Sequence, residues 1–199
     1  MAHTLNTGNA SSNWNIEVKL VMNAEEMAMA MAIRAAVFLG EEDNITYADE
    51  FDGNDFVATH FIAFINGDPA GVIRLRWFNG FASMERLGIR KRYRSYKVFA
   101  ALARKAIEHA RRKGYHLITG HPRGDITKLW GRFSGRQSGP QIEMFRGTLT
   151  PTLIELDHRS EDTIGVGPFG DPDYEELITQ VEGQWDFDLL RPKHQQAAE

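Results

Sequence analysis

The chain has 199 residues, of which 42% are hydrophobic and 25% charged, and its formal net charge is −4. This length suits one domain with a substantial core and is too short to predict two. The absence of cysteine excludes a disulfide framework, thiolate zinc sites and a cysteine nucleophile, and no apolar run approaches the roughly 20 residues of a membrane helix.

The N-terminal part of the chain predicts an arm, a strand and a helix. Residues 1–13 are polar and lack a signal-peptide core, so we expect a disordered arm and a cytoplasmic protein. Residues 16–22 alternate in the manner of a strand. Asn23, with two glutamates close behind it, is a suitable N-cap for a helix that reaches about Leu39. The acidic residues 40–54 predict a loop, with a short helix inside it as an alternative.

Two Asn-Gly dipeptides, at positions 66–67 and 79–80, are the clearest turn signals in the chain. A type I′ turn needs positive φ at both central residues, which asparagine and glycine tolerate. The dipeptides separate three apolar segments, residues 59–65, 70–78 and 81–89. These segments predict an antiparallel meander of three strands.

The most informative stretch follows this meander. Residues 90–97 form a very basic connection, and then apolar residues repeat with helical spacing at Phe99, Leu102, Ala103, Ala106, Ile107 and Ala110. Gly114 suits the end of this helix, and residues 115–119 predict another strand. Such a unit places its two strands parallel with a right-handed connection. The helix start then lies among cations at the carboxyl end of the strand 81–89, where it favours an anion.

The charge of the chain is strongly segregated. Residues 72–136 contain 17 lysines and arginines against three carboxylates, whereas the rest of the chain contains six against 24. This asymmetry indicates a polyanionic ligand at the basic segment. For Arg104, Lys105 and Arg111 the alternative is that they only solvate a helix face.

The C-terminal part predicts shorter elements. Residues 125–133 predict a short helix, and residues 141–146 and 153–157 predict a closing pair of strands. Residues 159–199 predict an acidic extension with a short helix. The folded domain is therefore expected to span residues 14–158.

The order of these elements resembles the GNAT (GCN5-related N-acetyltransferase) superfamily over roughly residues 16–157. The resemblance implies an α/β (α+β) fold with a mixed, mostly antiparallel sheet, in which a central parallel strand–helix–strand unit is flanked by helices. It also implies an acyl-CoA donor, whose pyrophosphate is held by backbone N–H groups of a glycine-rich loop after the fourth strand.

The segment that matches this loop is Arg94, Ser95, Tyr96, Lys97, Val98 and Phe99, which the resemblance marks as cofactor-binding. Arg94 fits the family's first position. Lys97 and Phe99 stand where the family has glycine or another small residue, and a large side chain can obstruct the approach of backbone to phosphate. Three alternatives stay open: the loop has another shape, cations replace the backbone contacts, or the site is inactive.

A second resemblance is to the acyl-homoserine-lactone synthases and the related N-acyl amino acid synthases, which also lack the glycine-rich loop and often use acyl carrier protein as donor. It is carried by Arg34, Val37, Phe38, Glu50, Phe51, Asp52, Asp55, Gly71 and Arg74. Five of these are predicted to bind substrate: the resemblance implies this for Arg34, Phe38 and Arg74, and the charges of Asp52 and Asp55 suit a cationic amine acceptor. The tryptophan expected between Phe38 and Glu50 is absent, and Asp52 equally suits a plain turn with the two residues that follow it.

The chemistry of acyl transfer to an amine needs a proton acceptor and an oxyanion donor. Glu85, on the predicted strand 81–89, is the candidate catalytic base, and an ion pair with Arg74 or Arg86 is its alternative. The resemblance implies that the pantetheine and the oxyanion contact backbone groups of Leu87, Gly88 and Ile89.

Trp130 stands where the family commonly has the tyrosine that protonates the leaving thiolate. Tryptophan has no proton to give at neutral pH, so we expect Trp130 to pack in the core or against the cofactor, and Tyr93, Tyr96 or solvent to serve. The spacing of the histidines matches no metal ligand set, and no metal site is predicted.

The expected function is therefore the transfer of an acyl group, most simply acetyl from acetyl-CoA, to a small-molecule or peptide amine, with a homodimer left open. A noncatalytic acyl-CoA binder is one rival, motivated by the lost glycines and tyrosine. A nucleic-acid binder is the other, because residues 90–97 interleave cations with Tyr93 and Tyr96.

Overall fold

The structure is a computed structural model in which a seven-stranded sheet carries helices on both faces, and the residues that it describes are 14–41, 45–124, 126–144 and 147–157. In chain order the elements are β1 (Ile16–Leu20), α1 (Ala24–Arg34), α2 (Tyr47–Glu50), β2 (Thr59–Ile65), β3 (Asp68–Phe78), β4 (Phe81–Ile89), α3 (Tyr96–Arg112), β5 (Leu117–Gly120), α4 (Ile126–Trp130), β6 (Arg136–Gln137), β7 (Ile142–Met144), β8 (Gly147–Leu149) and β9 (Thr152–Glu155). The predicted arm and the predicted C-terminal extension, residues 159–199, lie outside the described residues.

The sheet confirms the predicted fold class. Its strand order is β1-β2-β3-β4-β5-β9-β6, and β4 with β5 is the one parallel pair in the described part of the chain. The three-stranded meander is present, and Asn66 and Gly67 have φ values of 51° and 84°, as a type I′ turn requires. Among the helices of the described ranges, none combines the length and the hydropathy of a membrane span.

Two apolar cores lie on the two faces of the sheet. The predicted stripe of α3 is buried on one face, where it packs with Phe61 and Trp77. On the other face, Ile33 of α1 packs with Ile62 and Val72. Because side chains alternate along a strand, consecutive residues of β2 serve opposite cores.

The helix after β1 begins where it was predicted and changes its winding before it ends. The side chain of Asn23 accepts a hydrogen bond from the backbone N–H three residues later, at 2.9 Å. Residues Ala35–Leu39 then continue as a π-helix. In this segment Val37 and Phe38 lie against Gly88 of β4, since a Cβ built on that glycine would be 3.2 Å from the Phe38 ring and 3.5 Å from Val37 Cβ.

Helix α3 begins at Tyr96, inside the segment 90–97 that was predicted as a basic connection. A 3₁₀ turn, Lys91–Tyr93, follows β4, and Ser95 is the N-cap of α3, with its hydroxyl accepting from the Val98 N–H at 3.4 Å. Lys97 is therefore inside the first helical turn. Gly114 ends the helix at a φ of 87°, as predicted.

The predicted closing pair of strands, residues 141–146 and 153–157, is wrong in its pairing. The first segment turns back at Gly147, whose φ is 93°, so that β7 pairs with β8 in a separate two-stranded sheet. The second segment, β9, instead pairs with β5 on one side and β6 on the other. Strand β9 pairs with β5 over four residues, whereas β7 has three residues to offer.

Trp130 packs in the core at the end of β5. A Cβ built on Gly120 would lie 2.0 Å from Cη2 of the indole, so glycine is required at this position. The tryptophan therefore closes the apolar core under the last residue of the strand.

We expect Gly120→Ala to lower the free energy of unfolding by about 1–3 kcal/mol, because the indole must leave its place. Urea unfolding at pH 7 measures this change. The matched control is Gly139→Ala, where the new Cβ would lie 3.8 Å from Pro151 and the expected change is within about 0.5 kcal/mol. Equal stability of the two variants would contradict the contact between Gly120 and Trp130.

Candidate active site

Strands β4 and β5 separate after a short parallel ladder. They pair only through Ala82 with Ile118 and Ser83 with Thr119. Beyond this point β4 continues to Ile89, and among the described strands it pairs with β3 alone. The carboxyl half of β4 therefore presents backbone groups on one edge that a ligand can use.

A β-bulge shapes this half of β4. The register with β3 shifts between Val72 and Arg74. Arg86 has a φ of 48°, a positive value that residues other than glycine rarely adopt. The Arg86 side chain donates to the carbonyl of Asp49 at 2.9 Å and pairs with Asp52 at 3.0 Å. These contacts hold the bulge in place.

Seven charged side chains beside the bulge form a buried ion network: Arg34, Glu50, Asp52, Asp55, Arg74, Glu85 and Arg86. The side chains of Arg34 and Arg74 have no exposed surface. A guanidinium removed from water in this way is stable only when carboxylates and carbonyls satisfy it.

Asp55 joins the two buried arginines. It accepts a hydrogen bond from Arg34 and another from Arg74, the latter at 2.8 Å. Arg34 also donates to the side chain and to the carbonyl of Glu50, at 2.6 Å in each case. Helix α1, the end of α2 and strand β3 are thereby tied together by charge-assisted hydrogen bonds.

Arg74 also holds Asp52 and Glu85. Its two terminal nitrogens bind both carboxylate oxygens of Asp52 at 2.8 Å, and one of them binds Glu85 at 2.6 Å. The other oxygen of Glu85 accepts from the Ser83 hydroxyl at 2.8 Å. Glu85 thus has the ion pair with Arg74 that was the alternative to a catalytic role, and 21% of its side chain stays exposed.

The network contains four of the five predicted substrate-binding residues, while Phe38 packs against β4. Arg34 and Arg74 lie behind the carboxylates, and neither side chain has exposed surface. Asp52 reaches solvent, with 27% of its side chain exposed, and it also accepts from the Asn54 N–H at 3.1 Å in the predicted turn.

The arginines set the protonation of their neighbours. Burial alone would raise the pKa of each carboxyl group, but hydrogen bonds from Arg74 hold the pKa of Asp52 well below its usual range, and those from Arg34 and Arg74 lower the pKa of Asp55. His60, buried next to Asp55, has its pKa lowered to about 4, mainly by burial. At pH 7 Asp52 and Asp55 are therefore ionised and the neighbouring His60 is neutral.

Part of the basic connection is neutralised by a neighbouring hairpin. Arg90 and Arg92 pair with Asp68 at 3.0 and 2.8 Å. Tyr93 donates to the same carboxylate and is buried against Trp14. Since Tyr93 has no face available for a base, the stacking surface of the nucleic-acid alternative loses one of its two aromatic residues.

Arg94 links the elements around the start of α3. Its Nε donates to the carbonyl of Ile89 at 2.9 Å, and its Nη2 pairs with Glu41 at 2.6 Å. The end of β4, the start of α3 and the segment after α1 meet at this side chain. An anion at the start of α3 therefore meets an arginine that already holds a carboxylate.

Lys97 and Phe99, which stand at the glycine positions of the family loop, lie in helix α3 and not in a loop. Phe99 is buried, with its ring 6.3 Å from that of Tyr96 and 6.0 Å from that of Phe133, and Lys97 is exposed. Extended backbone at Ser95 leads directly into the helix. The loop has another shape, which is the first of the three alternatives considered from the sequence.

The other predicted cofactor-binding residues lie at the end of β4 and in the first turn of α3. Leu87, Gly88 and Ile89 form the end of β4, Gly88 being covered by the π-helical segment on one side. Tyr96 is half-buried and Val98 fully buried.

Sequence reasoning missed three polar members of the site, Glu41, His60 and Ser83. Ser83 lies two residues before Glu85 on one strand, so period-2 spacing places both on one face and could have revealed it. Glu41 and His60 meet their partners through the fold and carry no local signal. In the described ranges, no three histidine or acidic side chains are grouped as a metal site would need.

Comparison with known proteins gives the following relationships. The profile of the acetyltransferase (GNAT) family matches residues 19–125, which is more than half of the chain. The uncharacterized protein YyaT of Bacillus subtilis is 32% identical over 84 residues, which are 41% of this chain and 56% of YyaT. The chain thus matches little more than half the length of that relative.

Solved structures share the fold. An acyl-CoA N-acyltransferase from Pseudomonas aeruginosa superposes with a TM-score of 0.62 at 17% identity, covering 70% of this chain and 99% of that protein. FeeM, an N-acyl amino acid synthase from uncultured soil microbes, gives 0.61 at 9% identity, covering 72% and 92%. At these identities the likeness shows the fold alone. The two structures represent the two groups that the sequence resembles, the acyl-CoA N-acyltransferases and the N-acyl amino acid synthases.

We expect the free energy of unfolding to fall by about 2 kcal/mol between pH 7 and pH 5 through His60 alone. Its pKa of about 4 in the folded protein lies below the ordinary value of 6.5, so the unfolded chain gains a proton in this range and the folded protein does not. Urea unfolding at both pH values measures the loss, which His60→Gln should reduce by that amount. The control is His116→Gln, an exposed position where the pH dependence of the original protein should persist. An unchanged pH dependence in His60→Gln would contradict the assignment.

Proposed function

Because this chain belongs to the acetyltransferase (GNAT) family, we propose that it transfers an acyl group, most simply acetyl, from acyl-CoA to the amine of a small molecule or peptide. The observation that carries the proposal is the separation of β4 from β5 beside a carboxylate held in one position, Glu85. Between the two strands, backbone groups of β4 beyond Ser83 are available to the donor. The carboxylate is a proton acceptor for the amine.

The donor's phosphates would bind at the start of α3. The first N–H groups of a helix have no partner within it, and Lys97 adds an exposed cation in the same turn. Arg94 joins them when it exchanges the carboxylate of Glu41 for a phosphate, which offers the same bidentate geometry. Cations thereby assist a helix start that lacks the family's glycines.

The acyl group would lie along the open edge of β4. Backbone groups of Leu87, Gly88 and Ile89 orient the thioester, and an N–H of this edge donates to the oxyanion that forms when the amine attacks. The carbonyl of Ile89 already accepts from Arg94, which fixes the end of this edge. Attack is direct, so the amine displaces the thiolate from a tetrahedral intermediate.

Glu85 would take the proton that the amine loses, directly or through one water. Its ion pair with Arg74 and its hydrogen bond from Ser83 are compatible with this role, because they fix the position of a carboxylate that is still partly exposed. Arg74 and Ser83 are then positioning residues.

The acceptor would approach from the acidic side of the opening. Asp52 is the network carboxylate with the most exposed side chain among Asp52, Asp55 and Glu85, and it suits a cationic amine before deprotonation. The leaving thiolate would receive its proton from Tyr96 or solvent, since Trp130 is buried and has none to give.

A carrier-protein donor is a second candidate for the same chemistry. The observation that favours it is the ion network, which assembles four residues shared with the acyl-homoserine-lactone and N-acyl amino acid synthases. That resemblance implies an acyl carrier protein in place of CoA.

We expect the double variant Arg94→Glu/Lys97→Glu to weaken acetyl-CoA binding by at least about 100-fold, because two phosphate-facing cations become anions. Isothermal titration calorimetry measures the affinity, and a thermal melt confirms that the variant is folded. The control is Lys91→Glu/Arg92→Glu, an equal charge change in the neighbouring 3₁₀ turn. Similar affinities of the two variants would place the donor's phosphates elsewhere.

For Glu85→Gln we expect kcat to fall by about 10²-fold at pH 7 while the donor's Kd stays unchanged, because glutamine keeps the shape but accepts no proton. Release of the free thiol, followed with acetyl-CoA and a panel of amines, gives kcat. Full activity of the variant at neutral pH would remove Glu85 from the mechanism and leave it as a partner of Arg74.

A further inference from the structure

The side of helix α3 that faces away from the sheet carries a stripe of cations. Lys97, Arg104 and Arg111 repeat there every seven residues, opposite the buried apolar stripe. Seven residues are close to two helical turns, so the three side chains stand in one line along the helix. Lys105 and Arg112 form a second line beside it. These five residues are called the cationic face below.

The two faces of the sheet differ in charge. Glu108 is the one carboxylate in α3, so the cationic face has little negative charge of its own. On the other face, the charged residues of α1 are Glu25, Glu26 and Arg34, and Arg34 is fully buried in the ion network. A polyanion is therefore attracted to the α3 side of the sheet and repelled from the α1 side.

Another part of the same chain has the opposite charge. Residues 161–188 contain nine aspartates and glutamates and no lysine or arginine. They belong to the acidic extension that the sequence predicted and lie outside the described part of the chain. Residues 161–188 are called the acidic segment below.

The last described residues lie beside the end of α3. Strand β9 is antiparallel to β5, with Glu155 opposite Leu117, and the N–H of Leu156 donates to the carbonyl of His116 at 2.8 Å. His116 is two residues after Gly114, the glycine that ends α3. The acidic segment therefore begins only a few residues away from the carboxyl end of the cationic face.

The acidic segment is long enough to cover the whole of this face. Between Lys97 and Arg112 the helix rises by about 22 Å, at 1.5 Å per residue. About seven residues of extended chain span this distance, and the acidic segment has 28.

We propose that the acidic segment of this chain docks on the cationic face of α3 and shields it from other polyanions. The short connection after residue 157 holds the segment near the face at a local concentration on the order of millimolar, which favours a contact within one chain. Docking of this kind does not depend on the proposed function. The polyanion that the basic residues 72–136 indicate is then a part of the chain itself.

Carbodiimide crosslinking of the full chain tests the contact, because this reagent joins a lysine amine to a carboxylate when the two form an ion pair. We expect Lys97 and Lys105 to couple to carboxylates of the acidic segment, and peptide mass spectrometry identifies the products. The control is Lys19, which lies over the Phe64 ring on the α1 side of the sheet and should give no such product.

Isotope labelling distinguishes this chain's own segment from that of a second copy. Chains with natural isotopes and chains labelled with ¹⁵N are mixed in equal amounts before crosslinking. Products in which both peptides carry the same isotope support the contact within one chain. Products in which the two peptides carry different isotopes would overturn it, by assigning the face to the acidic segment of a second copy.

Neutralising the acidic segment should open the cationic face to nucleic acid. We expect the variant Asp173→Asn/Glu175→Gln/Glu176→Gln to bind an oligothymidylate of about 20 nucleotides roughly tenfold more tightly than the original protein at low salt. Fluorescence anisotropy measures the affinity, and a thermal melt confirms that the variant is folded.

The matched control neutralises three exposed glutamates elsewhere, in the variant Glu17→Gln/Glu25→Gln/Glu143→Gln. Its net charge changes by the same amount, and its affinity for the oligothymidylate should stay within about twofold of the original. An equal gain in both variants would overturn the docking, because net charge alone would then explain the effect. Unchanged affinity in both variants, with no crosslink to Lys97 or Lys105, would also overturn it. Neither measurement uses an acyl donor, so a failure of the proposed function would leave the docking intact.

Discussion

Two guanidinium groups without any exposed surface, those of Arg34 and Arg74, impose the constraint on which this architecture depends. Each must find carboxylates inside the protein, and together they recruit partners from α2, from the segment after it and from β4. Loss of one partner from a buried pair typically costs about 3–5 kcal/mol, a large part of the roughly 5–15 kcal/mol that stabilises a whole domain. Glu50, Asp52 and Asp55 are therefore held in place by ion pairs with Arg34 and Arg74 and do not belong to a free loop.

The ion pairs of Arg74 and the separation of β4 from β5 meet on strand β4, which carries Glu85. The parallel ladder ends at Ser83, two residues before Glu85, so the carboxylate stands where the sheet opens. The bulge at Arg86 then turns the remaining backbone of β4, and contacts with Asp49 and Asp52 maintain that turn. A carboxylate held in one position and an accessible backbone edge consequently occur side by side on β4.

The elements that the sequence predicted correctly are those whose signals are local. The Asn-Gly turns define the meander, and the apolar stripe defines α3, because both depend on residues a few positions apart. The actual start of α3 is earlier than the predicted one, because its N-cap, Ser95, and its first turn lie among cations, before the apolar stripe begins at Phe99. Arg90, Arg92 and Arg94 could not be assigned from sequence, since Asp68 and Glu41 lie 22 to 53 positions away and meet them only through the fold. The partner of β9 was missed for the same reason, as it depends on which sheet edge is free.

The edge strands of a sheet determine how readily a foreign strand can pair with it. In the described part of the chain, β1 and β6 end the seven-stranded sheet, and β6 has only two residues. The edge strand β1 carries Glu17 and Lys19, paired at 3.5 Å, with both side chains at least half exposed. Charged side chains and short edge strands discourage the addition of a foreign strand, because pairing would bury the charges or offer too few hydrogen bonds. In the described part of the chain, both edge strands thus have features that disfavour edge-to-edge aggregation.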